Sequence, residues 1–118
     1  MARIEDPFAL HEGAAETWRY IRDNVLERGV VDRSVKELAL AYVRDPDSID
    51  LEAHDARGRA ALDWAHAIVW DADAAGDELW ELLHELFSEE ELVDLGCAIG
   101  FELGRTHFLR TVGHAATS

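Results

Sequence analysis

Lysine and cysteine occur once each in these 118 residues, as Lys36 and Cys97, and proline only twice. One cysteine can form no intramolecular disulfide and supplies no cysteine-based zinc site within a single chain. One lysine against ten arginines reads as the coding bias of a GC-rich genome and carries no chemistry by itself. Excess positive charge is absent too: the formal net charge is -14, which argues against nucleic acid and anionic membrane as partners, because both present phosphate and need a basic patch. No apolar run approaches the roughly 20 residues that cross a bilayer. The opening M-A-R-I-E-D-P-F is acidic where a signal peptide would be basic and then apolar, so a cytoplasmic location is expected. Strand alternation, GxGxxG, a P-loop and any fixed-period repeat are also missing, and no cofactor is expected. The six histidines show no ligand spacing. His11-Glu12 and His84-Glu85 begin like a zincin helix, but Ala15 and Ser88 stand where its second histidine belongs. No metal is expected either.

What is present is enough apolar residue, 48%, for one domain over residues 1–118 with a single core, small enough that self-association would improve its surface-to-volume balance. The periodicity is helical throughout, and predicts an all-α, compact antiparallel domain of about five helices. Ala14, Trp18, Ile21 and Val25 recur at four- and three-residue steps, with Ala15 and Leu26 widening the stripe and Gly29 ending the helix. Asp32 or Ser34 can cap the next helix, V-K-E-L-A-L-A-Y-V-R, whose two faces are both partly apolar. Glu37, three residues after Ser34, would complete a capping box there. Asp45-Pro46 stops that helix. Asp55 caps a third, with Ala61, Leu62, Ala65, Ile68 and Val69 toward the core, and Asp77 a short fourth with Leu79, Leu82, Leu83 and Leu86 spaced for burial.

The last helix organises the chain. Ser88 and Glu91 form a capping box, Phe87 and Leu92 a hydrophobic staple, and from Leu95 to Leu103 the only charge is Glu102, so the middle is expected to be buried all round. Glu102 reads as part of a solvated edge, paired with Arg105. Gly96, Gly100 and Gly104 fall on one line, each costing about 1 kcal/mol of helix propensity relative to alanine. Close approach of another helix, from this chain or a partner, is the simpler account of that trough. Room for a ligand is the sharper one, with Gly100 and Gly104 as substrate-binding positions and His107 at its mouth.

The order V-D-R-S-V-K-E-L-A-L-A-Y-V, G-R-A-A-L-D-W-A-H-A-I and L-W-E-L-L-H-E-L-F-S-E-E-E-L-V-D-L-G-C-A-I-G resembles the carboxymuconolactone decarboxylase and alkyl hydroperoxidase D-like (AhpD-like) family over about residues 31–113. The resemblance implies an all-helical homo-oligomer, a dimer, trimer or hexamer. The peroxidase members carry a C-x-x-C segment and a histidine after the helix equivalent to 35–44, with a relay glutamate that Glu37 matches. Here D-P-D-S-I-D-L-E-A-H replaces the dithiol segment, so peroxidase chemistry, which needs an attacking and a resolving thiol, is not expected. Gly58 stands where many relatives have glutamate, and His54 does not take over the motif histidine's role. The decarboxylase members work without cofactor or dithiol. The expectation is therefore acid-base chemistry on a small organic acid or lactone, with Glu37 and His107 moving protons and Arg105 holding the anion. The rival is a non-catalytic oligomer that keeps the packing and has lost the site.

Overall fold

Each periodic stretch becomes a helix, and the breaks fall at the turn signals. In the computed structural model, which describes residues 6–113, α1 spans Glu12–Ile21 and continues as a π-helical turn at Arg22–Leu26. α2 is Arg33–Arg44, α3 Ala56–Trp70, α4 Asp77–Leu86 and α5 Glu89–Thr111. Short 3-10 turns occupy Pro46–Ser48 and Ala72–Ala74. Among the described residues there is no strand, so the fold is all-α with five helices.

The caps show why the helices begin where they do. Ser88 Oγ accepts from the Glu91 N–H and Glu91 Oε1 accepts from the Ser88 N–H, the complete capping box, while Phe87 and Leu92 are both buried. The bond from the Ser88 backbone, reinforced by Arg57, holds the Glu91 carboxyl below the usual carboxylate range. Asp55 accepts from the Gly58 N–H at the start of α3. The expected Ser34–Glu37 box does not form. α2 starts one residue before Ser34, with Asp32 at the cap position and no side-chain cap bond, and Glu37 instead accepts from Arg33 one turn back at 2.8 Å. α4 likewise starts at Asp77 itself, behind Gly76.

α2 is the middle of the bundle, packed most extensively on α3 and then on α5. Val35, Ala39, Tyr42 and Val43 enter one core with Ala60, Ala61, Leu62 and Ala65 of α3, Leu83 of α4, and Leu92, Leu95 and Ile99 of α5. The Tyr42 hydroxyl accepts from Trp70 Nε1 and pairs with His66 Nδ1, tying α2 to the end of α3. Only Leu83 of the α4 leucines is fully buried; Leu82 is exposed. α1 buries no residue completely, its apolar stripe being half-buried from Ala14 to Leu26.

Two polar clamps join segments distant in sequence. Lys36, the sole lysine, is only 3% exposed. Its ammonium donates to Asp94 Oδ1 at 2.6 Å and to the carbonyls of Val25 and Arg28 at 2.8 and 2.7 Å. The other Asp94 oxygen accepts from the Val30 and Val31 N–H groups. That carboxylate sits where a side chain on Gly29 would begin, 2.3 Å from an ideal Cβ, and the φ of +147° there also suits glycine. Arg57 is the second clamp. It pairs with Asp32 and Glu91, donates to the Leu86 carbonyl and lies 4.3 Å over the Phe87 ring.

Burial all round the middle of α5 does not occur within the chain. Leu95, Ala98, Ile99 and Glu102 are buried, whereas Val93 is 67%, Phe101 45% and Phe108 44% exposed, and Cys97, Gly100 and Gly104 share their side. α2, α3 and the π-helical turn pack on one side of α5, and on its other side open hollows lie against α1 and against α3 and α4.

Candidate functional site

Glu102 is the side chain whose surroundings demand an explanation. Read from the sequence as part of a solvated edge, it is fully buried. The predicted partner is present: Arg105 Nε donates to Glu102 Oε1 at 2.8 Å and Nη2 stands 2.6 Å from it. A second guanidinium, Arg44 on α2, has Nε 3.5 Å from the same oxygen. Oε2 has no hydrogen-bond partner, nor has Arg44 Nε, among the described residues. A buried carboxylate oxygen without a donor is costly, and the great majority of such atoms in folded proteins are satisfied.

Glu102 is among the residues that line an open groove of about 780 Å³, with its carboxylate itself withdrawn from the surface. α1 and its π-helical turn supply Trp18, Arg22, Leu26 and Glu27; α2 supplies Arg33, Glu37, Leu40, Ala41 and Arg44; α5 supplies Glu102, Arg105 and Leu109. With Asp6 included, four arginines and four carboxylates line it, so in a chain of net charge -14 the groove is locally neutral. Two guanidinium groups there face one carboxylate. Arg105 is sandwiched further, with its Cζ 5.2 Å from the Trp18 ring, and Phe8 stacks on that ring at 5.1 Å. Two cations beside one acid suit a small anion, and a carboxylate lone pair without a donor suits a ligand O–H, N–H or acidic C–H.

The residues singled out in the sequence divide between separate places. Glu37 and Arg105 share the groove. His107 does not join them: it opens on a hollow of about 280 Å³ at the end of the bundle with Val43, Pro46, Asp47, Val69, Trp70 and Arg110, and no hydrogen bond links it to Glu37 among the described residues. Gly100 and Gly104 lie beside a third hollow, about 450 Å³, between α1 and α5. The glycine line itself is not uniform. A Cβ on Gly96 would come within 2.8 Å of the Trp64 ring, so Gly96 serves packing inside the chain, whereas a Cβ on Gly100 or Gly104 would meet nothing within 4 Å. Cys97, inside the stretch expected to be buried all round, is exposed beside Trp64, Trp80 and His84. No group of three His, Cys, Asp or Glu side chains among the described residues converges as a metal site.

Arg44 and the buried state of Glu102 escaped the sequence reading. A usable signal existed: an acid alone in an otherwise apolar helical run, with an arginine three residues on, has the partner that a buried carboxylate needs. Comparison of the chain with protein-family models, with curated proteins and with solved structures finds no match in any of the three.

Proposed function

We propose that the groove between α1, α2 and α5 binds a small organic acid or lactone and moves a proton on it without a cofactor, the chain being a divergent member of the carboxymuconolactone decarboxylase and AhpD-like family that lacks the dithiol. The observation that carries this reading is the buried Glu102 carboxylate, one oxygen held by Arg105 and the other without a donor, beside a groove also lined by Arg44 and Glu37. In it Arg44 and Arg105 hold the anionic end of the ligand. Glu102 Oε2 takes a proton from the carbon next to the carbonyl, the guanidinium groups stabilise the enolate left behind, and the same carboxyl returns the proton. Glu37, at the rim, matches the family's relay glutamate and takes that role here. Glu102 replaces His107 as its counterpart, because His107 faces another hollow.

Proton exchange in D2O reads this activity directly. Short 3-oxo acids and carboxylated unsaturated lactones are incubated with the protein, and loss of the ligand's C–H signal is followed by NMR. The expected result is exchange faster than in buffer, reduced about a hundredfold or more in Glu102→Gln, with the variant's melting curve confirming that it is folded. Exchange at the buffer rate for every ligand in the panel, or an unchanged rate in Glu102→Gln, rejects the reading. The non-catalytic rival gains if no ligand exchanges while the chain still self-associates.

A further inference from the structure

We infer that the hollow between α3, α4 and α5 binds a small quaternary ammonium ion, held by cation–π contact with Trp64 and Trp80 and by the charge of Glu89. The hollow has a volume of about 400 Å³ and shares no residue with the groove at Glu102. Two indoles dominate its walls. Trp64 of α3 and Trp80 of α4 have ring centroids 6.3 Å apart and planes inclined at 58°. A cation resting on either ring in the hollow therefore stays near the other, and a ring attracts a cation within about 6 Å of its centroid. Both rings are held in place. Gly96 leaves the space that Trp64 fills, since a Cβ there would come within 2.8 Å of the indole. His84 packs on Trp80 with centroids 4.4 Å apart and planes at 76°, and the Trp80 carbonyl accepts from its Nδ1 at 3.0 Å. Trp80 is still 49% exposed, which leaves its indole open to a ligand.

The sign of the ligand's charge follows from the chain around the hollow. No lysine or arginine occurs between Arg59 and Arg105, the stretch that supplies every lining residue, whereas acids recur all along it. An anion would meet no guanidinium or ammonium there, and a chain of net charge -14 would repel it. Glu89 lines the hollow as its one carboxylate, exposed, with His84 Nε2 3.7 Å away. The rest of the lining selects among cations. On α5 it is Leu92, Val93, Gly96 and Cys97, none of them charged. A metal ion or a primary ammonium entering beside these groups would lose water and gain few hydrogen bonds in return. The methyl groups of a quaternary ammonium need no hydrogen bonds, and they spread the charge over a surface that suits an indole face.

Choline and its neutral carbon isostere, 3,3-dimethyl-1-butanol, share a shape and differ in charge, so the pair tests the inference. Saturation-transfer NMR on their methyl protons, with the full chain at pH 8, should give choline a Kd lower than that of the isostere by about tenfold or more. Trp80→Leu, a change at a half-exposed position, should remove that difference while circular dichroism shows the helices intact. Glu89→Gln should weaken choline and leave the isostere as it was. Equal binding of choline and the isostere, no choline binding at millimolar concentration, or choline binding untouched in Trp80→Leu overturns the inference. Phosphatidylcholine vesicles carry the same cation on a lipid. Co-sedimentation with them, where free choline does not bind, would overturn a site for a small free cation.

Discussion

Lys36 and Asp94 lie 58 residues apart in the chain, and between them they satisfy three carbonyl or carboxylate acceptors and two backbone N–H groups around the loop from Val25 to Val31. Both ions are largely withdrawn from water, with side chains 4% and 13% exposed. Removing one leaves the other buried without its counter-charge, and breaking such a pair typically costs about 3–5 kcal/mol. Asp94→Ala should therefore lower the unfolding free energy by about that much in urea titration, and a loss within experimental error would show that the clamp is not what holds the loop. None of this was visible in the sequence. Neither Asp94 nor Lys36 carries a local signal of it, because a contact at this separation leaves no local pattern. Glu102 was misplaced for a related reason: a helical wheel orders the side chains around one helix but does not say which part of that circle α2 covers.

Elements were more legible than their surroundings. The capping box at Ser88, the stop at Asp45-Pro46 and the cap at Asp55 are encoded within four residues, and the structure contains each. The Ser34–Glu37 box has the same spelling and is not used, since a start at Arg33 puts Ser34 inside the helix and offers Glu37 an arginine one turn away. For α5 the cap has a measurable signature. Ser88→Ala should destabilise the protein by about 0.5–2 kcal/mol. Because the folded state lowers the Glu91 pKa from its ordinary value of 4.5, the Glu91 contribution is present in full above that value and is lost as the pH falls through the lower, folded one. The stability difference between parent and Glu91→Gln should thus be flat near neutrality and shrink in acid. A difference that grows in acid would have the wrong sign for this cap.

At the scale of the whole molecule, the all-helical class follows from periodicity and from the absence of any alternating segment, while the location of the groove depends on how three helices meet and was not readable. No helix among the described residues is long and apolar enough to cross a membrane. The charge balance has a further consequence through the burial of Lys36. Every other basic side chain outside histidine is an arginine, so the folded surface presents guanidinium groups and no lysine ammonium. Acylating reagents and lysine-modifying enzymes act on that nitrogen, and here it is exposed only when the clamp opens. The rate at which an amine-reactive ester labels Lys36, followed by mass spectrometry of the digested chain, should therefore track the opening of the α1–α2 loop and rise with denaturant. Rapid labelling in native buffer would mean that the loop is open much of the time. The protein thus carries a built-in chemical reporter at one position, silent in the folded state and reactive in its absence.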